Sequence, residues 1–314
     1  MTRNPQARIC ISNNTLATLL DNQKPTAISW KYYAQASSTS FAASPATSLW
    51  TAPNAIQGIC YPLLATAGGF TCGGYDWTNY VASVFPNGAG YPNSYSPILT
   101  DLGADPNQPQ CALPAVSWVV PDGNWSDHGG LDPDGAGPSW ISAIVNAVGG
   151  YDDATGGQLS TNCQYWKNTV ILITWDDWGG WYDHILPWNC PPGPNGKCSG
   201  YPNGPDGGAS EYVYGFRVPL LVVSAYNYRP QGSTGYISGA CVAPGNCPND
   251  KAPYVHDFGS LLNFIEYAFG TGGNPLGGQA TCGIGPCTYP YADYFAPDGH
   301  TVYSPNQYSL HSCP

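Results

Sequence analysis

The chain has 314 residues, of which 9 are Lys or Arg and 20 are Asp or Glu, so its formal net charge is −11. So few basic side chains exclude a protein that grips nucleic acid through the phosphate backbone. Hydrophobic residues make up 42% of the chain, but the longest apolar run is too short to cross a bilayer, so we expect a hydrophobic core and no transmembrane segment.

Apolar, β-branched segments alternate with helix-like segments along the chain, a pattern typical of a mostly parallel sheet flanked by helices. The nearly all-apolar segment 170–175 is predicted to be a central strand. Long Gly/Pro/Asn loops are predicted over 36–55, 85–110, 188–216 and 228–254. In chain order, the predicted elements are a helix at 15–21, strands at 27–33 and 115–120, a helix at 139–148, strands at 170–175 and 218–224, and a helix at 257–269.

Twelve cysteines and no CxxC pair argue against a zinc ribbon and for disulfide bonds. Disulfides form in oxidising compartments, so we predict an extracellular or periplasmic location and long loops held by disulfides. Three pairs lie close together inside Gly/Pro loops and are the predicted loop-closing bonds: Cys190/Cys198, Cys241/Cys247 and Cys282/Cys287.

The strongest chemical signal is the segment 170–184, VILITWDDWGGWYDH, in which two adjacent carboxylates follow an apolar strand. Ligands of open α/β sheets gather beyond the carboxyl ends of strands. Asp176 and Asp177 would repel each other there unless a cation or a proton shared the site. Because the chain has only nine basic residues, we predict that the two carboxylates bind a metal ion. The alternative is that they cap a turn on the surface.

A second polar cluster, PDGNWSDHGG, follows the predicted strand at 115–120. It places Asp122, Asp127 and His128 at another strand end, where we expect them to converge with the acidic pair on one site. The alternative is a Gly/Asp turn that contains an incidental histidine.

His256 and Asp257 stand just before the last predicted helix. Asp is a good N-cap residue, so a capping role and a role in the site are equally open for this pair.

Six motifs together resemble one protein family. They run in the family's order over roughly residues 10–290, and the chain resembles the bacterial phosphoesterase family of phospholipases C and acid phosphatases. The resemblance implies an alkaline-phosphatase-like α/β fold and metal-assisted hydrolysis of phosphate esters. The motifs are SWKYYA (29–34), WVVPDGNWSDHGG (118–130), GPSWISAIVNAVG (137–149), ILITWDDWGGWYDHI (171–185), YGFRVPLLVVSAY (214–226) and HDFGSLLNFIEYAFG (256–270).

The resemblance also implies roles for single residues. Asp176 and Asp177 are similar to the family's acidic ligand pair, and would hold a divalent metal ion whose identity is left open. His128 resembles the active-site histidine of the SDH motif, which contacts phosphate oxygens or protonates the leaving group. Asp183 and His184 resemble the DH pair that closes the catalytic loop. Independently of the resemblance, four further residues are candidates to support the site from outside, namely Asp122, Asp127, His256 and Asp257.

The chain departs from the family at its start. Family members begin with an apolar strand that ends in a Glu-Asn metal-binding motif and is followed by a Ser or Thr nucleophile. Residues 1–28 contain no such strand and no Glu, and the nucleophile stays unassigned. We therefore predict a single phosphoesterase-like domain over 1–314 that lacks this N-terminal part and ends in a loop-rich tail at 271–314.

Two further hypotheses stay open beside a phosphoesterase. The first is a non-catalytic secreted protein that keeps the fold and self-associates, or that pairs with a complementing N-terminal fragment. The second is a carbohydrate-binding protein or glycosidase, suggested by 11 Trp and 23 Tyr. A glycosidase needs two carboxylates facing each other across the sugar, which adjacent Asp residues do not provide.

Overall fold

The structure, a computed structural model, describes residues 15–23, 25–34, 51–61, 63–66, 69–84, 95–121, 125–126, 128, 136–161, 163–181, 183, 215–227 and 258–270. These residues belong to two compact units, a first unit that runs up to Trp166 and a second unit that starts at Lys167. The predicted tail at 271–314 lies outside the described residues.

The first unit contains four α-helices and five short strands among its described residues. Two single-turn 3₁₀ helices, Ala52–Ala55 and Trp166–Asn168, lie between them, the second at the boundary of the units. The first unit contains α1 (Leu16–Asp21), β1 (Trp30–Ala34), β2 (Leu63–Thr66), β3 (Gly69–Cys72), α2 (Tyr75–Tyr80), β4 (Val81–Ser83), α3 (Pro97–Asp101), β5 (Val116–Val119) and α4 (Ala136–Gly149). The second unit contains β6 (Val170–Thr174), β7 (Leu220–Ser224) and α5 (Phe258–Ala268).

A parallel sheet forms the centre of the first unit. Its strand order is β4-β1-β5, and β1 pairs in parallel with both neighbours. Trp30 on β1, Val81 on β4 and Val116 on β5 are buried. Tyr32 and Trp118, opposite each other on β1 and β5, stack with ring centroids 6.3 Å apart. The prediction of a parallel sheet accompanied by helices is confirmed for this unit.

A polar network lies under the same sheet. One oxygen of Asp101, Oδ2, accepts hydrogen bonds from Lys31 Nζ at 2.6 Å and from the Tyr33 hydroxyl at 2.5 Å. Tyr33 is fully buried. Burial, together with the hydrogen bond to Asp101, raises the pKa of the Tyr33 hydroxyl, so this group stays protonated and donates. The network ties β1 to the end of α3.

The structure shows two disulfides within its described part, and neither involves a cysteine of the three predicted pairs. Cys60 pairs with Cys72 and closes the antiparallel β2–β3 hairpin. Cys111 pairs with Cys163 across 52 residues. The three predicted loop-closing pairs lie outside the described residues. The disulfides that the structure does describe therefore join segments separated by helices and strands, or the two ends of a hairpin.

The second unit contains an unexpected strand pairing. β6 and β7 run antiparallel, with Val170 opposite Ser224 and Thr174 opposite Leu220. The predicted central strand at 170–175 is therefore half-buried and, among the described residues, has an antiparallel partner instead of parallel ones. An all-apolar run indicates a strand, but it does not specify the direction of its neighbour.

Several predicted boundaries shift by a few residues. The strand predicted at 27–33 begins at Trp30, because the segment before it stays bound to the end of α1, where the Ile28 N–H donates to the Leu20 carbonyl. The predicted loop at 85–110 contains α3, which has Pro97 in its first turn. Within the described residues, no helix combines the length and apolar character needed to span a membrane.

Two acidic side chains of the first unit have raised pKa values. Asp21 ends α1 and accepts a hydrogen bond from Trp30 Nε1 at 2.8 Å, while Asp76 lies in the first turn of α2. Burial raises the pKa of Asp21 above its ordinary value of 3.8. Burial, and then the negative charge of Asp21, raise the pKa of Asp76. Both groups thus hold a proton more tightly in the folded than in the unfolded chain.

We expect the free energy of unfolding to include a contribution from Asp76 that is fully present below pH 3.8 and is lost as the pH rises through its folded pKa. Asp76→Asn removes this titration, so the variant gains stability relative to the wild type as the pH rises from 4 to 7. Urea unfolding of both proteins across this range measures the difference. A stability difference that does not change with pH contradicts the prediction.

Candidate functional site

The chain turns sharply after β6, and this turn carries the predicted acidic pair. Gly179 and Gly180 have φ angles of 69° and 77°, in the left-handed region that favours glycine. The turn leaves both Asp176 and Asp177 exposed to solvent. We call residues 175–181 together with Asp183 the acidic loop.

The two carboxylates of the pair have different surroundings. Asp177 Oδ1 accepts the backbone N–H of Gly179 at 2.6 Å, so the turn-capping role that the sequence left open is real for one oxygen of Asp177. In the described part of the chain, neither Asp176 nor Asp177 pairs with a Lys or Arg side chain. Two adjacent negative charges therefore lie on the loop without a described protein cation to offset them.

Arg217 binds the far end of the acidic loop. Its Nε donates to Asp183 Oδ2 at 2.7 Å, and its Nη2 donates to Asp183 Oδ1 at 3.0 Å. The hydrogen bond to Asp183 raises the pKa of the Arg217 guanidinium. A two-point contact of this kind fixes the orientation of the carboxylate as well as its position. Asp183 thus connects the loop to the segment that leads into β7, and its predicted catalytic role stays a prediction.

Trp178 anchors the middle of the loop to that same segment. Its ring meets Phe216 edge to face, with centroids 6.0 Å apart. A Cβ atom at Gly215 would lie 2.7 Å from Trp178 Cζ3, so only glycine fits beneath the ring. The segment 215–217 therefore holds the acidic loop at two points, Trp178 and Asp183. The GFR and DDW motifs were visible in the sequence, but nothing in either indicated that they contact each other.

The other predicted site residues are only partly described. His128 is exposed in the first unit, and its backbone N–H donates to Ser126 Oγ at 3.1 Å. Its convergence with the acidic pair stays a prediction. The remaining candidates lie outside the described residues, namely Asp122, Asp127, His184, His256 and Asp257.

The described residues alone do not form a complete metal site. Among them, no group of three or more His, Cys, Asp or Glu side chains is arranged to hold a metal ion. Asp176 and Asp177 supply carboxylate oxygens, the ligands that hard divalent cations prefer. They suit part of such a site, and the predicted divalent metal ion stays a prediction.

Comparison with known proteins finds a family match and relatives in bacteria. The profile described as Phosphoesterase family matches residues 3–272. Phospholipase C A of Mycobacterium tuberculosis strain H37Rv is 32% identical over 124 residues, which cover 38% of this chain and 21% of the relative. Non-hemolytic phospholipase C of Burkholderia pseudomallei is 29% identical over 167 residues, covering 50% of this chain and 19% of the relative. The chain thus spans about a fifth of the length of these relatives. No solved structure matches the chain.

Proposed function

Because the chain belongs to the Phosphoesterase family, we propose that it hydrolyses phosphate esters and that Asp176 and Asp177 are ligands of a divalent metal ion. The observation that supports this proposal is the exposed pair of adjacent carboxylates at the carboxyl end of β6, on a loop held at two points. The relatives of the chain reported above are named as phospholipases C. We therefore propose the phosphodiester of a phospholipid headgroup as the substrate class.

The charge balance of the acidic loop favours a cation at this place. Arg217, the one described basic residue that reaches the loop, is already paired with Asp183. The hydrogen bond from the Gly179 N–H uses Oδ1 of Asp177 and not Oδ2, and Asp176 is exposed. Each side chain therefore has a carboxylate oxygen available to the proposed ion. A divalent ion held by these two residues would supply positive charge against the phosphoryl oxygens, where negative charge develops during hydrolysis.

The rigidity of the loop is the second part of the proposal. Two contacts hold the loop, one before and one after the Gly-Gly turn. Before the turn, Trp178 packs against Gly215 and Phe216, and after it Asp183 is bound by Arg217. Ligands that are fixed before the substrate arrives need no rearrangement during the reaction. Arg217 is thereby a positioning residue for the acidic pair.

Histidine supplies the proton transfer in this proposal. We propose that His128 donates a proton to the departing alkoxide or binds a phosphate oxygen, and that His184, the residue after Asp183 in the sequence, is also catalytic. An imidazole suits this role because its ordinary pKa lies near neutral pH.

Disulfide bonds support an extracellular or periplasmic location for the protein. Cys60–Cys72 and Cys111–Cys163 would persist in an oxidising compartment and would be reduced in most cytosols. We propose that the chain acts outside the cytoplasm, where phospholipid surfaces are accessible to it.

The experiment is hydrolysis of bis(p-nitrophenyl) phosphate by the full chain, after chelation and after return of Mg²⁺, Ca²⁺, Mn²⁺ or Zn²⁺. We expect activity that depends on one of these ions. Asp176→Asn and Asp177→Asn each lower kcat/KM on the order of 100-fold, since each removes a charged ligand that stabilises the transition state. Calorimetric titration with the same ion shows weaker metal binding by both variants.

The matched control is Asp152→Asn. The Asp152 carboxylate accepts the Thr155 N–H in a turn after α4, and Asn can accept the same bond. We expect its activity and metal affinity to stay at the wild-type level. If the wild type neither binds an ion nor cleaves the ester, the enzyme proposal is wrong and the non-catalytic secreted protein is favoured.

A further inference from the structure

Trp181 is the most exposed large apolar side chain in the described part of the chain. It is 79% exposed, and Trp178, at the other side of the Gly-Gly turn, is 43% exposed. An indole in water is unfavourable, because burying its apolar surface releases free energy. Two exposed tryptophans on one short loop therefore indicate a surface that this loop meets.

The structure holds Trp181 in this exposed position. Its backbone N–H donates to the Trp178 carbonyl across the Gly-Gly turn at 3.4 Å. A Cβ atom at Gly179 would lie 3.2 Å from Trp181 Cδ1, so the ring edge lies closely over a glycine that has a left-handed φ. Anchored residues flank Trp181 on both sides, Trp178 before it and Asp183 after it.

An exposed tryptophan on a loop that is anchored on both sides of it suits a lipid–water interface. The ring is apolar, while its N–H finds hydrogen-bond acceptors at the level of the headgroups. A side chain whose direction is already fixed also loses little conformational entropy when it inserts.

The negative charges on the acidic loop determine which lipid surfaces it can approach. Asp176 and Asp177 are exposed beside the tryptophans, and the whole chain has a net charge of −11 with only 9 Lys and Arg. Anionic membranes attract clusters of basic residues and repel a surface of this sign. A zwitterionic surface has no net charge, so it does not repel the loop whether or not the two carboxylates hold a cation.

We propose that Trp181, supported by Trp178, inserts into the interface of a zwitterionic phospholipid surface and holds the acidic loop against it. This inference deepens the proposed function. It rests on that function because the same loop carries the proposed metal ligands. Insertion would bring the phosphate of a headgroup to the acidic pair while the lipid stays in its membrane.

The test is co-flotation of the full chain with phosphatidylcholine vesicles in the presence of EDTA, so that binding is measured without turnover. We expect the wild type to float with the vesicles and Trp181→Ala to lower the partition coefficient at least about tenfold. Replacing a third of the lipid by phosphatidylglycerol weakens wild-type binding at low salt. Tyr61→Ala is the matched control, since Tyr61 is a 61% exposed aromatic residue of the first unit, and it leaves binding unchanged.

Three outcomes overturn the lipid proposal. They are a wild type that does not float, a Trp181→Ala variant that floats as well as the wild type, and binding of a soluble glucose hexasaccharide through Trp181 in place of vesicles. The soluble-ester assay separates the two proposals. A wild type that cleaves the ester but ignores vesicles refutes only lipid insertion, and one that binds vesicles through Trp181 without cleaving the ester refutes only the enzyme.

Discussion

Replacing Cys111 and Cys163 together by serine is expected to lower the free energy of unfolding by about 4 kcal/mol. The bond joins two cysteines that are 52 residues apart. Without it the unfolded chain gains the conformational entropy of a long open loop. Contacts around the bond depend on the same closure. Thr161 Oγ1 donates to the Gly103 carbonyl at 3.0 Å, and the Leu113 N–H donates to the Tyr165 hydroxyl at 3.0 Å.

The second disulfide provides the comparison for this prediction. Cys60 and Cys72 are separated by 12 residues, and the same loop-entropy relation gives about 3 kcal/mol for their replacement by serine. Urea unfolding of the wild type and of both double variants, with the other bond intact, measures the two losses. Equal losses, or a larger loss for the hairpin bond, would show that native contacts and not loop length determine these stabilities.

Removal of the charge at Asp101 is expected to lower the free energy of unfolding by about 3 kcal/mol. The side chain is 12% exposed and holds two donors on one oxygen, the Lys31 ammonium and the Tyr33 hydroxyl. Asp101→Asn keeps the shape of the side chain but leaves Lys31, which is 24% exposed, without its anion. The loss is large because the charge of Lys31 remains partly buried while its partner is gone.

Two further variants, one within this network and one control outside it, are compared with Asp101→Asn. Tyr33→Phe removes one hydrogen bond to a charged group and is expected to lower stability by about 2 kcal/mol. Asp152→Asn, which removes a charge elsewhere in the first unit, should stay within about 1 kcal/mol of the wild type. Thermal and urea unfolding measure all three. An Asp101→Asn variant as stable as Asp152→Asn contradicts a structural role for the Lys31–Asp101 pair.

The acidic loop combines two properties that usually oppose each other. Its carboxylates and Trp181 are exposed, yet the loop is fixed by a bidentate ion pair at Asp183 and by ring packing at Trp178. Exposure lets a metal ion and a substrate surface reach the loop, and fixation keeps its ligands in place. Metal binding, hydrolysis and vesicle binding can therefore be tested on the same few side chains.

The sequence predicted the helices α1, α4 and α5 and the strands β1, β5, β6 and β7, but not β2, β3, β4, α2 or α3. The apolar runs VILIT and LLVVS are β6 and β7, and the helices predicted at 139–148 and 257–269 correspond to α4 and α5. The placement of Asp176 and Asp177 just beyond a strand end was also predictable. These features depend on the preferences of neighbouring residues, which a short stretch of sequence contains in full.

Tertiary structure alone decided which segments meet. Only in the fold do β6 and β7 pair antiparallel, Cys111 join Cys163, and Arg217 bind Asp183. Position 215 requires a glycine because the Trp178 ring lies against it, and this requirement also appears only in the fold. Each of these contacts joins residues 34 or more positions apart. Local preference says nothing about such pairs, because their geometry depends on the packing of the segments between them.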